Sequence, residues 1–374
     1  MKERKDYLWA SLFFAILAVV CLGSLAQAKP HNHRAASGAV YTMSNAVEGN
    51  SILVFDRHAD GSLTAAGSYA TDGYGTGEAL GNQGGVILSP NQRWLYAVNA
   101  GSNDISIFAV LPGGLKLIDV VYSEGDRPIS LALDRKLLYV LHAGEPNDIT
   151  AFTIDHHGRL SPLAGSTRPL SADQTAPAQI SFSPDGEVLV VTEKGTNFID
   201  TYLVGRDGRA EGPTISHSVG NVPFGFAFGK RDQLIVSEAG SGSLSSYLVD
   251  DDDGSLEIIS PGVSTTETAA CWVVITNDGR FAYTTNAGTG SISGFLITHD
   301  GSLSLLDEDG RTGVTGDGSA PIDMALSGND RFLYTLNSGN GTIGAFQVNL
   351  KDGSLKPLTG IADLPASANG LAAR

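Results

Sequence analysis

Two glutamates and a histidine stand at one place in successive copies of a recurring phrase: His142 in "LLYVLHAGEPNDITAFTI", Glu193 in "VLVVTEKGTNFIDTYLV" and Glu238 in "QLIVSEAGSGSLSSYLV". Two carboxylates and an imidazole facing a shared space can do general acid and base work, because mutual repulsion raises one carboxylate pKa toward the operating range. The same oxygens, joined by amides, suit a hard cation such as Ca²⁺ or Mg²⁺, which would polarise a carbonyl and acidify water. Ser44 or Asn45, Asn99, Asn286 and Asn337 hold the equivalent places in the other copies. A metal set of Glu193, Glu238, Asn286 and Asn337 is therefore one expectation. The other is local: Asn side chains bond their own turns, and a rim glutamate pairs with a cation such as Lys194.

The elements that position these residues form a repeat. "AVYTMSNAVEGNSILVF" from Ala39, "WLYAVNAGSNDISIFAV" from Trp94, "FAYTTNAGTGSISGFLI" from Phe281 and "FLYTLNSGNGTIGAFQV" from Phe332 bring the copies to seven. They recur every 43 to 55 residues or so, roughly the period of propeller blades. Each reads as two strands joined by a Gly- and Asn-rich turn. "DGSL" at Asp60, Asp253, Asp300 and Asp352 marks a second hairpin, and runs such as "AQISFSPDG" supply one more strand ahead of each copy. The expected fold is all-β, a seven-bladed β-propeller of four-stranded blades. The first copy lacks an inner strand, and the terminal "SANGLAAR" resembles one with nothing after it. The C-terminal strand is expected to join the first blade, closing the ring and removing an edge.

A second set falls at the starts of the inner strands: Gly85, Ser130, Gln179, Gly225, Trp272, Asp323 and Gly370. Gln179, Phe224, Trp272 and Asp323 are candidate substrate-binding residues, since an aromatic plate beside an acid suits a sugar or another small ring. Packing is the competing role for Trp272.

The phrases "SPDG", "LYAVNAGSNDISIF" and "DGSL", distributed over Ala39 to Arg374, resemble the lactonase-type seven-bladed propellers, which include 6-phosphogluconolactonase and carboxy-muconate cyclase. The resemblance implies opening of a lactone by one His, two Arg and one Glu around the channel mouth. Those positions fall here on Ala178, Phe224, Cys271 and Glu238, so only the glutamate is kept. The expected function is hydrolysis of a small lactone, a sugar lactone or an acyl-homoserine lactone, at the channel mouth, with catalytic Glu193, Glu238 and His142 and assistance from a Ca²⁺ or Mg²⁺ ion. The alternative is a noncatalytic propeller that binds a protein or a small ligand.

"MKERKDY" is charged, Leu8 to Leu22 is almost continuously apolar, and "AQA" ends at Ala28. This pattern predicts a cleaved signal peptide over 1–28, a polar leader over 29–38 and one propeller domain over 39–374, in a periplasmic or secreted protein. Cleavage removes Cys21 and leaves Cys271 alone, so no intrachain disulfide is expected. A formal net charge of -16 argues against nucleic acid or anionic membrane as partners, and a monomer is expected. No G-x-S-x-G elbow, H-E-x-x-H pair, Walker loop or dinucleotide fingerprint occurs. "VDDDDGSLEI" from Val249 reads as a solvated hairpin turn.

Overall fold

The computed structural model describes residues 36–374; the predicted signal segment and residues 29–35 of the leader lie outside the described residues. All regular structure among the described residues is β-strand, arranged as seven antiparallel sheets. Their inner strands, in ring order, are Asn369–Ala373, Val86–Leu88, Pro128–Asp134, Pro177–Phe182, Pro223–Phe228, Ala270–Ile275 and Pro321–Leu326. The second strands end at Met43, Asn99, His142, Glu193, Glu238, Asn286 and Asn337. Two blades split the outer strand into short pieces, Leu160–Pro162 with Arg168–Pro169 and Leu303–Leu305 with Gly313–Val314.

The ring closes as the sequence predicts. Blade 1 takes its inner strand from the C-terminus, with Tyr41 opposite Ala372 and Met43 opposite Asn369. Arg374 N–H donates to the Ala39 carbonyl at 2.9 Å, and Arg57 Nε to the Arg374 carbonyl at 3.0 Å. Without this strand, Gly38–Met43 would present an open edge to the channel.

The same hydrogen bond recurs from blade to blade. Tyr96 donates its hydroxyl to the Gly158 carbonyl (3.1 Å), Tyr139 to Gly208 (2.8 Å), Tyr283 to Gly353 (2.8 Å) and Tyr334 to Gly61 (2.9 Å). Each acceptor lies in the outer hairpin turn of the next blade, and the last bond links blade 7 to blade 1. Where the second strand lacks tyrosine, Thr201 and Ser246 reach the Gly254 (2.6 Å) and Gly301 (2.8 Å) carbonyls instead. The "DGSL" glycine is required twice over. Gly61 sits at φ +85°, and a Cβ there would collide with the Phe332 ring of blade 7. One such buried hydrogen bond contributes about 1 kcal/mol, but ring closure makes the set cooperative, since no blade can loosen without its two neighbours.

A chain ending at Ala368 is therefore expected to lose cooperative unfolding, or to melt far below the full chain in calorimetry. An unchanged transition would show that the C-terminal strand is dispensable.

Candidate functional site

The polar ring at the ends of the second strands is buried; Asn45 donates to Thr76 and Glu78 of the connection leaving blade 1, Asn99 accepts from Asn50 of blade 1, and the bonds of the other members stay local. His142 Nδ1 lies 2.7 Å from Asp148 Oδ1. Glu193 accepts the Ser171 N–H at 3.1 Å and the hydroxyls of Ser171 and Thr196 at 2.5 Å each. Glu238 accepts from the Ser218 hydroxyl (3.0 Å), the Gly220 N–H (2.8 Å) and the Ser243 hydroxyl (2.9 Å). Asn286 donates to Ser291 and Ser293, and Asn337 to Thr342. The partners come from the residue's own hairpin and, for both glutamates, from the connection entering that blade. The ring thus clamps each hairpin and, at blades 4 and 5, the incoming chain.

Among the described residues, the group of three acidic or histidine side chains whose ligand atoms come within 4.8 Å of one another is Asp185, Asp232 and Asp251. The ligand atoms of Glu193, Glu238 and His142 do not come together in this way, and Glu193, Glu238, Asn286 and Asn337 share no hydrogen-bond partner, each being engaged at its own blade. The physical reason is depth. A second strand stands about 4.8 Å outward from the inner strand, and these side chains are taken up by their own blade rather than by the axis. The Asp185 group lies at the other end of the same strands, in the turns ahead of Val188 and Gln233 and in the turn after Val249. Lys194 forms no ion pair with Glu193 either. Glu193 is instead matched to Asp200, which accepts the same Ser171 N–H at 2.9 Å and leaves its other oxygen enclosed without a donor. Burial first, and then the Glu193 charge, pushes the Asp200 carboxyl up to about 8. The two carboxyls, both on the one Ser171 N–H, hold a proton more readily than either would alone.

The inner-strand set does meet, but as stitching between blades. Gln179 receives the Phe226 N–H (2.8 Å) and donates to the Phe226 carbonyl (3.0 Å). Ser130 receives the Ile180 N–H at 3.2 Å, and Asp323 receives the Leu371 N–H at 2.9 Å. Burial holds the Asp323 carboxyl well above the usual carboxylate range, opposed by these N–H donors. At blade 5 the equivalent residue is Gly225, and the stitch arrives from across the channel: Gln83 donates to the Val273 carbonyl (2.8 Å) and receives its N–H (3.1 Å). A Cβ on Gly225 would collide with Gln83 Oε1, so glycine is required there.

Gln83 belongs to a segment that sequence reasoning missed. Fifteen residues, 71–85, separate the outer strand of blade 1 from the inner strand of blade 2, where the other such connections take five to seven. The surplus dips into the channel. The Gln83 N–H donates to the Ala178 carbonyl at 3.1 Å, Ser130 Oγ to the Gln83 carbonyl at 2.6 Å and Trp272 Nε1 to the Asn82 carbonyl at 2.7 Å. The signal was present in the sequence, since the interval from Ala39 to Trp94 is the longest between copies.

Beside this segment sits Lys194. Its Nζ donates to the Pro177 carbonyl at 2.8 Å and to the Gly81 carbonyl, and lies 4.9 Å from the centre of the Phe224 ring. Phe224 in turn packs on Trp272 at 4.7 Å between centroids. Ala178, Phe224, Cys271 and Trp272 form one buried apolar cluster. Burial pulls the Lys194 ammonium down to about 8 and pushes the Cys271 thiol up to about 12, each countered by the other. No carboxylate among the described residues forms an ion pair with Lys194.

The fold and this arrangement define a seven-bladed propeller whose channel mouth carries a cation and aromatic walls. The sequence model of the family described as "Lactonase, 7-bladed beta-propeller" matches residues 40–169, 146–269 and 257–368, and the chain belongs to that family. It is 21% identical to a 6-phosphogluconolactonase of Bacillus subtilis over 304 residues, 76% of this chain and 86% of that one. A periplasmic gluconolactonase of Pseudomonas aeruginosa superposes with TM-score 0.72 at 18% identity, covering 90% of this chain and 98% of the other. A putative 6-phosphogluconolactonase of Bacteroides fragilis gives TM-score 0.69 at 20% identity, covering 92% and 100%.

The acid pair generates a pH prediction. Asp200 ionises near 3.8 when unfolded and at about 8 when folded, so the folded chain holds a proton that the unfolded chain lacks between those values. Its stabilising contribution is full below the lower value and is lost as pH rises through the upper one. Asp200→Asn is expected to flatten the decline of the melting temperature over this window and to raise it at pH 8; parallel curves for variant and parent would refute the shared proton.

Proposed function

We propose that this chain hydrolyses a small neutral lactone at the mouth of the propeller channel, with Lys194 as the acid–base group. Water attacks the lactone carbonyl and gives its proton to the neutral Lys194 amine. The ammonium then stabilises the oxyanion and returns a proton to the ring oxygen as the ester C–O bond breaks, leaving a hydroxy acid. The observation that carries this reading is Lys194 itself, a desolvated amine over Phe224 without a carboxylate partner among the described residues. A lysine lowered toward 8 by burial suits proton transfer near neutral pH. Phe224 and Trp272 favour an uncharged ring over a phosphorylated one, and a sugar lactone or an acyl-homoserine lactone meets that requirement. The periplasmic gluconolactonase among the structural neighbours supports the sugar lactone and an exported location, in line with the signal-like segment at 1–28. Asp185, Asp232 and Asp251 lie at the far end of blades 4 and 5 and take no part in this step.

A second reading, ligand binding without turnover, is favoured by one observation: Ala178, Phe224 and Cys271 replace the His and both Arg of the family set. One assay separates the two. On a panel of sugar lactones and acyl-homoserine lactones, Lys194→Met is expected to lower kcat/KM by about 100-fold or more. The parent rate should rise with pH through about 8 as the amine loses its proton. Glu193→Gln and Glu238→Gln should lower the melting temperature more than kcat. Absence of turnover on every lactone would leave the binding reading in place of the hydrolase.

A further inference from the structure

Three consecutive backbone carbonyls, of Gly81, Asn82 and Gln83, are received by three side-chain donors on three different blades: Lys194 of blade 4, Trp272 of blade 6 and Ser130 of blade 3. The segment belongs to no strand, and glycines at φ +61° (Gly81) and φ +83° (Gly84) bracket it, so the chain can turn in and out at both ends. Its fit is also incomplete. Asn82 is buried, donates its amide to the Ile129 carbonyl, and leaves Oδ1 without any donor. A buried acceptor without a donor is unfavourable, which weakens the seated segment against anything that satisfies the same donors.

We propose that residues 81–83 are a built-in ligand for the channel seat, and that Lys194 Nζ and Trp272 Nε1 take the ring carbonyl and a hydroxyl of a small neutral sugar lactone when the segment withdraws. The substrate class rests on the lactone-opening function proposed above; the exchange itself does not. Three protein carbonyls leave; the two ligand oxygens re-pair Lys194 and Trp272, and the Ser130 hydroxyl, which also accepts the Ile180 N–H, gives up its bond to the Gln83 carbonyl. The bond pair between Gln83 and Val273 is what the ligand must break, and Gly225 leaves room for it. A phosphate dianion would meet one ammonium and two aromatic rings, too little compensation for its desolvation.

Cys271, the one cysteine among the described residues, precedes Trp272 and is buried in the channel wall, which makes it a reporter of opening. The rate of its modification by methyl methanethiosulfonate is measured in the full chain by peptide mass mapping, which separates it from Cys21. Loss of two hydrogen bonds, about 2 kcal/mol, converts to at least ~10-fold faster opening. Gln83→Leu and, independently, Gln83→Ala are each expected to accelerate labelling by that factor, with a fall in melting temperature no larger than loss of the two bonds to Val273 accounts for, and D-gluconolactone is expected to slow it again. Either variant serves if the other does not fold. Unchanged labelling in the folded variants overturns the proposal, because the segment is then a fixed wall. Acceleration that the lactone does not slow overturns the assigned ligand. Acceleration with protection but without turnover upholds the exchange and removes only the hydrolase function.

Discussion

The inner edge of a propeller blade is a row of backbone N–H and C=O groups with no further strand to pair them, and each one left buried and unpaired costs free energy. This chain meets the constraint with side chains from neighbouring inner strands. Ser130 caps Ile180, Gln179 caps Phe226 and Asp323 caps Leu371. Side chains that could have gripped a ligand are thereby committed to the scaffold. Asp323 shows the consequence most clearly: both its oxygens face backbone N–H groups, and its burial keeps the carboxyl from behaving as an ordinary acid.

The same constraint accounts for the channel. At blade 5 the capping residue is Gly225, so the Val273 edge would be bare without the Gln83 amide from the far side. Ala178, Phe224 and Cys271 make the wall here apolar, and the 81–83 segment lies against it, with the Gln83 N–H on the Ala178 carbonyl. Its own backbone then needs donors in a desolvated place, which Lys194 and Trp272 provide. The extra length of the first connection, the apolar wall residues and the half-buried Lys194 are one solution to a single packing and polarity problem.

Much of the fold was legible in the repeat. Alternation and turn residues place the strands, the spacing of the copies gives seven blades, and the unmatched ends predict closure by the C-terminal strand. The pairing of Tyr139 with Gly208, or Tyr334 with Gly61, also lies latent in the "LY" and "DG" phrases, which recur in several blades. The polar ring was legible as a ring but not as a function. Equivalent positions in a repeat are related by rotation about the axis, and rotation alone does not say whether they point toward that axis. Glu193 illustrates the gap: its oxygens are consumed by Ser171 and Thr196, and its acidic neighbour is Asp200 on the adjacent strand rather than Glu238 one blade away.

The sequence by itself determined the all-β class, the blade count and the closure by the C-terminal strand, because these follow from local alternation, a motif repeated seven times and the unmatched ends. It also located the residues at the channel, including Phe224, Trp272 and Cys271. Only the tertiary structure decided which polar groups are satisfied by the scaffold and which are left for chemistry. That depends on contacts such as Gln83 with Val273, between residues far apart in the chain, whose existence turns on the shape of the space between blades rather than on any pattern along the sequence.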